Sequence, residues 1–179
     1  MKGVIFTEFL EVVEEAFGIE VVDEMLTKSK ASGVYTAVGT YDDSEMNDMV
    51  VTLSKLTNTP VEHLLEFFGK KLFYGLHSAY PHFFDAEVEI FGFIRSIHNH
   101  IHVEVKKLYP DALLPDIIVQ NETENEIEIL YSSPRKYGPL ARGLLLSSLE
   151  YYSKHAKITE KQLDDAGEKV LFTISMRNE

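Results

Sequence analysis

The sequence contains no cysteine and no tryptophan among its 179 residues. Without cysteine the chain forms neither a disulfide nor a thiolate site, so Fe–S clusters and Cys-ligated zinc are excluded. Any bound metal must therefore be held by histidine, by a carboxylate or through a cofactor. Positive charge is also scarce, with 17 Lys and Arg against 29 Asp and Glu and a net charge of −12. Nucleic acids and anionic membranes are unfavourable partners for such an acidic surface.

Long apolar runs are missing as well. No segment reaches the ~18–20 uninterrupted apolar residues of a membrane span. The chain begins somewhat like a signal sequence, but acidic residues from Glu8 onward interrupt the apolar run. We therefore expect a soluble cytoplasmic protein. The length favours a single domain, and a chain of this size buries a core large enough to enclose a ligand.

Apolar residues recur at helical spacing through the first part of the chain. Between Ile5 and Phe17 they predict a core helix, which Gly18 can end. Asp85 can cap a longer helix that ends at Tyr109, because the residue before a proline disfavours helical geometry. The N-terminal part is therefore predicted to be mainly helical.

After Pro115 the hydrophobic period changes to two. Residues 117–131 alternate on either side of an acidic turn and predict an antiparallel hairpin, and residues 170–176 predict a further strand. A helix from about Gly138 is predicted between these strands. Helices first, followed by strands around one more helix, are typical of an α+β domain.

Three histidines, His98, His100 and His102, fall within the predicted long helix. At α-helical spacing His98 and His102 share a face, whereas His100 points roughly to the opposite side. His102 lies beside Ile101 and Val105, so its side chain should face inward. Two interpretations stay open: a core imidazole bonded to a carbonyl, or a metal ligand on a rigid helix.

A row of polar side chains follows the alternating strand. Tyr131, Ser133 and Arg135 share the buried face, because every second residue of an extended chain points the same way. They offer hydrogen-bond donors, and the arginine fork matches a carboxylate. No acidic residue shares this face locally; the alternative is a strand end that emerges into solvent. Together with His102, the row fits a ligand that carries a metal and carboxylates, and haem has both.

At this point the sequence resembles a known family, the haem–nitric oxide/oxygen binding domains related to the sensor of soluble guanylate cyclase. Tyr131, Ser133 and Arg135 match the YxSxR propionate motif of that family. His102, followed seven residues later by Tyr109 and a proline, matches its axial histidine. Other matching segments are Met1-Lys2-Gly3, Phe68-Gly69-Lys70 and Pro115.

The resemblance implies one haem-binding gas-sensor domain over residues 1–179. It would have an N-terminal helical part of about residues 1–60, and haem-holding helices and a sheet over about residues 61–179. His102 would be the only protein ligand of a haem b iron, whose other face stays open, whereas His98 and His100 match no haem role. The residues expected to press on the macrocycle and bend it are Ile5, Pro115 and Leu144.

The open face of the iron decides which gas binds. Iron-bound O2 carries superoxide-like charge that a distal hydrogen-bond donor stabilises. Oxygen-binding relatives carry a tyrosine nine residues after the tyrosine of the motif, and that position here is Leu140. The neighbouring distal positions, Phe9 and Leu72, offer no donor either. The resemblance therefore implies an NO sensor, with CO as a weaker ligand and O2 disfavoured.

We expect no enzymatic activity of the chain itself. NO on ferrous iron would weaken the Fe–His102 bond and free the helix that bears this histidine, relieving pressure on Ile5 and Pro115. Stand-alone members of the family signal in trans, usually to a histidine kinase or a cyclic-di-GMP enzyme. Two alternatives remain: a passive haem carrier, and a His-based metal-binding enzyme that would leave Arg135 without a role.

Overall fold

A computed structural model describes residues 1–85 and 89–176. The first helices are α1 at Gly3–Phe17, α2 at Ile19–Ser29, α3 at Asp43–Thr57 and α4 at Val61–Ala79. A 3-10 turn at Pro81–Phe83 precedes α5 at Ile90–Ser96, a π-helical segment at Ile97–Ile101 and α6 at His102–Leu108. The remaining elements are β1 at Asp116–Glu122, β2 at Glu126–Ser132, α7 at Gly138–Tyr151, β3 at Ala156–Gln162 and β4 at Lys169–Met176. The predicted α+β class is confirmed.

The N-terminal helices begin and end at signals that the sequence carries. Gly18 ends α1 with a positive φ of 91°, a conformation that favours glycine. Asp42 caps α3, and its carboxylate accepts a hydrogen bond from the Ser44 backbone N–H at 2.8 Å. Gly3 packs so closely on the loop before α3 that a Cβ there would lie 1.8 Å from the Thr36 carbonyl oxygen. The start of the chain is thereby fixed against this loop.

The four strands form one antiparallel sheet in the order β1-β2-β4-β3. The predicted hairpin is confirmed, since β1 pairs with β2 and Ile117 lies opposite Tyr131. The alternation in β2 buries Ile127, Ile129 and Tyr131 on one face. The sequence pattern does not predict β3. This edge strand is mostly polar, and only Ala156 and Ile158 of it are half-buried.

The helical run that carries His102 differs from the prediction in two ways. The residues directly after Asp85 lie outside the described ranges, and α5 begins at Ile90, so Asp85 does not cap it. The Asp85 carboxylate instead accepts a hydrogen bond from the Tyr151 hydroxyl at 3.1 Å. The run is also not α-helical throughout, because a π turn precedes His102. Such turns are rare, and they occur frequently at functional sites.

The core lies between the helices and one face of the sheet. Helices α4 and α7 pack along each other, and α7 also contacts β4. Fully buried side chains from both layers meet there, among them Phe73, Ile94, Ile129 and Phe172. Among the described residues, no helix combines the length and apolar character that a membrane crossing requires.

Candidate functional site

A cavity of about 330 Å³ lies between the helices and the sheet. This volume is in the range of cofactor sites, and such sites are mainly apolar with a few polar groups. Most of the wall consists of aliphatic and aromatic side chains from α1, α4, α7 and the His102 helix, among them Val4, Phe68, Leu76, Val105 and Leu145. Four of the polar residues predicted from the sequence reach the same cavity: His102, Tyr131, Ser133 and Arg135.

His102 lines the cavity from the start of α6. The pKa of its imidazole is lowered to about 4, mainly by burial and also by nearby His98, whereas Asp116 and a hydrogen bond to the Pro115 carbonyl act in the opposite direction. The ring is therefore neutral at neutral pH, which is the form in which histidine binds a metal. A backbone carbonyl that takes one ring N–H also orients the other nitrogen, as in many metal sites.

The other two histidines of the cluster do not line the cavity. The Nδ1 atom of His98 is buried and has no hydrogen-bond partner in the described structure. The ring of His100 packs edge-on against Phe83, with 6.4 Å between ring centroids. The structure thus separates His102 from its two neighbours in sequence.

Tyr131, Ser133 and Arg135 meet at one end of the cavity. Tyr131 and Ser133 are each 3% exposed, and the Arg135 side chain is 10% exposed. The chain does not emerge into solvent at this point, so the alternative of a solvated strand end is wrong. Three donors from successive residues of one face are therefore held in a largely apolar cavity.

The turn after β2 brings the hydroxyl groups of Tyr131 and Ser133 together, and the Ser133 side chain hydrogen-bonds to the Tyr131 hydroxyl. The backbone N–H of Arg135 donates to Ser133 Oγ at 3.2 Å, and the backbone N–H of Tyr137 donates to the Tyr131 hydroxyl oxygen at 3.1 Å. A hydroxyl oxygen that accepts one hydrogen bond keeps its own proton for another acceptor. Burial raises the pKa of Tyr131, so this hydroxyl stays protonated at neutral pH.

Arg135 has an acidic partner that the local sequence does not reveal. Its Nε donates to Asp43 Oδ2 at 2.6 Å, and its Nη1 donates to the Leu113 carbonyl at 2.7 Å. Asp43 lies 92 residues away in sequence, at the start of α3. The Nη2 atom of Arg135 is buried without a partner in the described structure. The two contacts therefore fix the guanidinium plane and leave the Nη2 nitrogen for a ligand.

The structure also brings most of the other expected contact residues to the cavity. The predicted residues that line it are Ile5, Leu72, Pro115, Leu140 and Leu144. Phe9 is the exception and corrects the expectation. It is buried behind Phe68, with 5.1 Å between their ring centroids, and Phe68 forms the wall at this point. Phe9 lies on the face of α1 that packs against α4, which keeps its ring one layer away from the cavity.

The wall built by α4 and α7 is apolar. Its side chains include Leu72, Phe73, Leu140 and Leu144. Two further hydroxyl groups that reach the cavity already donate elsewhere: Tyr137 to Asn47 Oδ1 at 2.6 Å, and Ser148 to the Leu145 carbonyl at 2.8 Å. Tyr80, at the end of α4, also lines the cavity. Tyr109 lines it as well, so these two hydroxyl groups are the remaining candidates for a donor in the cavity.

These residues fit a haem. One neutral imidazole can take the iron, and the aliphatic and aromatic wall suits a porphyrin ring. The two hydroxyl protons and the unpartnered Nη2 of Arg135 form a donor set for carboxylates. A buried guanidinium nitrogen without a partner is costly, and a propionate would remove that cost.

Comparison with known proteins agrees with this chemistry. A family model described as "Haem-NO-binding" matches residues 2–160. No protein with a curated description matches the chain. Solved structures do match: the Fe(II) unliganded H-NOX protein from K. algicida is 37% identical with a TM-score of 0.94, and the match covers 100% of this chain and 98% of that one.

Two further structures were solved with a gas bound. The H-NOX protein from S. oneidensis in the Fe(II)NO ligation state is 30% identical, with a TM-score of 0.92 and coverage of 99% of this chain and 100% of that one. The H-NOX from Shewanella woodyi in the Fe(II)CO ligation state is 36% identical, with a TM-score of 0.84 and coverage of 99% and 95%.

Proposed function

The chain belongs to the haem-NO-binding family, and from this membership we propose that it is a ferrous-haem sensor of nitric oxide that regulates a signalling partner in trans. Domains of this family are haem-based gas sensors and are not catalytic on their own. NO selectivity, the signalling step and the partner are the parts of this proposal that go beyond family membership.

One observation carries the proposal. The same apolar cavity holds a single neutral imidazole, His102, and a separate set of carboxylate donors that ends in the unpartnered Nη2 of Arg135. A bound haem would supply an iron for His102 and the gas, and two propionates for the donors. Tyr131 and Ser133 would donate hydrogen bonds to a propionate through their hydroxyl groups, and Arg135 would donate through Nη2.

The apolar wall supports NO as the gas. Bound O2 gains stability from a hydrogen-bond donor because it carries more negative charge than bound NO or CO. Leu72 and Leu140 line the cavity and supply no donor, and the Tyr137 hydroxyl is already bonded to Asn47. We therefore propose NO as the physiological ligand, with CO binding more weakly and O2 disfavoured.

The signalling step that we propose acts through the His102 helix. His102 would hold the iron of a bound haem, and NO would weaken that bond, so that the helix that begins at this residue would no longer be held toward the cavity. Ile5 and Pro115, which line the cavity, would then relax together with it. A ligand that binds one of two packing arrangements better shifts the population toward that arrangement. The partner that reads this change would be a histidine kinase or a cyclic-di-GMP enzyme.

A passive haem carrier would use the same residues, and it differs in having no partner whose activity depends on NO. A His-based metal-binding enzyme has no specific observation in its favour. In the described ranges, no group of three or more His, Cys, Asp or Glu side chains is arranged to hold a metal ion.

Absorption spectroscopy of the purified, reduced protein tests the proposal. We expect a Soret band, a shift with CO, no stable oxygen complex in air, and with NO a spectrum typical of iron that has lost its histidine ligand. A colourless protein after haem reconstitution would refute haem binding, and a stable oxygen complex would refute NO selectivity. An NO-dependent change in the activity of a co-purifying signalling enzyme would separate the sensor from the carrier.

A further inference from the structure

Helix α3 supports the turn that carries the carboxylate donors at two points. Asp43 accepts from Arg135, and Asn47, one helical turn later, accepts from the Tyr137 hydroxyl at 2.6 Å. These contacts join residues that are 92 and 90 positions apart in sequence. The two ends of the turn are therefore tied to the same helix face. Asp43 contacts one of the carboxylate donors, Arg135, directly. Asn47 contacts Tyr137, whose backbone N–H donates to another of them, Tyr131.

Tyr137 connects α3 to the Tyr131 hydroxyl. Its side chain is bonded to Asn47, and its backbone N–H donates to the Tyr131 hydroxyl oxygen. The residue before it, Lys136, has a positive φ of 60°, a backbone conformation that residues other than glycine seldom adopt. Tyr137 itself is buried, with 7% of its surface exposed. The ring of Tyr137 and its backbone N–H are therefore held by separate hydrogen bonds within one buried residue.

The direction of that N–H decides what the Tyr131 hydroxyl can do. While the oxygen accepts from Tyr137, the hydroxyl proton is available to an acceptor on the cavity side. If the N–H moves away, the Tyr131 hydroxyl can turn its proton elsewhere, and a carboxylate ligand loses an oriented donor. Ser133 is the second group that contacts the Tyr131 hydroxyl, and its own oxygen accepts from the Arg135 backbone N–H at 3.2 Å.

We propose that Tyr137, anchored by Asn47, is a positioning residue that orients the Tyr131 hydroxyl toward a carboxylate of the ligand. This inference rests on the proposed function, because it takes haem propionates as the carboxylates. It assigns to α3 a part in ligand recognition that the YxSxR motif does not contain.

The test uses Tyr137→Phe, which removes the hydroxyl and keeps the ring, and Asn47→Leu, which removes its acceptor. The measurement is the rate at which the ferric holoprotein transfers haem to an excess of a haem-scavenging apoprotein. We expect each variant to release haem about two- to tenfold faster, the range that corresponds to one lost hydrogen bond. The double variant should release it no faster than either single variant, because both changes remove the same contact.

A haem whose two propionates are esterified distinguishes positioning from a general loss of stability. The esters are uncharged and accept hydrogen bonds more weakly than carboxylates, so Tyr137→Phe should accelerate release of the dimethyl ester much less than release of haem. An equal acceleration for haem and its ester would overturn the proposal and assign Tyr137 a structural role. Unchanged release of ordinary haem from the variants would overturn it as well.

Tyr35→Phe is the matched control. The Tyr35 hydroxyl donates at 2.6 Å to Glu45, which lies on α3 like Asn47. This variant should release haem at the parental rate, and a rate as high as that of Tyr137→Phe would contradict the inference. If the parent protein binds neither haem nor its ester, the proposed function fails. If it binds both and Tyr137→Phe behaves like the parent, only the positioning role fails.

Discussion

Gly69 of α4 and Gly143 of α7 face each other where these two helices cross. A Cβ on Gly69 would lie 2.2 Å from the Leu140 carbonyl oxygen and 3.1 Å from the Cα of Gly143. A Cβ on Gly143 would lie 2.1 Å from the Glu66 carbonyl oxygen. The contact is therefore between the two backbones. It brings Leu72 and Leu140 into one continuous wall of the cavity.

Gly143→Ala should destabilise the protein, because the added methyl group must push two helix backbones apart. We expect a loss of about 1–3 kcal/mol in the free energy of unfolding, measured with urea. The exposed Ser78→Ala on α4 is the control and should change stability little. A Gly143→Ala protein as stable as the parent would show that the helices do not meet as closely as described.

Leu140→Tyr should give the cavity a hydrogen-bond donor and allow a ferrous oxygen complex that persists in air. Leu140→Phe adds a similar ring without the hydroxyl and should not, so the difference between the two isolates the donor. Absorption spectra of the reduced proteins before and after exposure to air provide the measurement. Should the parent protein already hold O2, Tyr80→Phe would reveal whether that hydroxyl is responsible.

His102→Gly should bind haem much more weakly than the parent protein. Free imidazole should restore binding by filling the space that the side chain leaves. The restored complex has no covalent link between the iron and α6, so NO should no longer change the activity of a signalling partner. The comparison is made between the parent and the imidazole-loaded variant in the same assay. A variant that still responds to NO like the parent would contradict the proposed signalling step.

The haem-free protein should lose stability as the pH falls from about 6.5 toward 4. The folded state holds the pKa of His102 at about 4, below the ordinary value of 6.5, so the unfolded chain binds a proton more readily in this window. The contribution is fully present above pH 6.5 and disappears as the pH approaches 4, and it amounts to about 3 kcal/mol. The measurement is the free energy of unfolding in urea for His102→Gln and for the parent at each pH. The difference between the two proteins cancels the pH dependence that the carboxylates contribute to both. Parallel stability curves for the two proteins would be inconsistent with a buried neutral imidazole.

Much of the local structure was predictable from the sequence. Gly18 and Asp42 act within a few residues of their own positions, so the start and end of the first helices follow from local chemistry. The alternation predicted Tyr131 on the buried face of β2, because a period of two needs no knowledge of the partner strands. β2 ends at Ser132, so the turn after it, and not strand alternation, brings Ser133 and Arg135 to the same cavity. Local rules were less reliable near His102, where a π turn replaces α-helical spacing, and for β3, whose polar sequence reflects an edge position.

The amino-acid sequence by itself determined the α+β order of elements, the inward-facing histidine and the row of donors, because each follows from the chemistry and spacing of near neighbours. Only the tertiary structure decided how those donors are oriented. Asp43 and Asn47 reach Arg135 and Tyr137 across 92 and 90 residues, and Phe68 rather than Phe9 forms the cavity wall. These outcomes depend on how the helices pack against each other and against the sheet. The periodicity of one segment does not indicate which distant segment will pack against it.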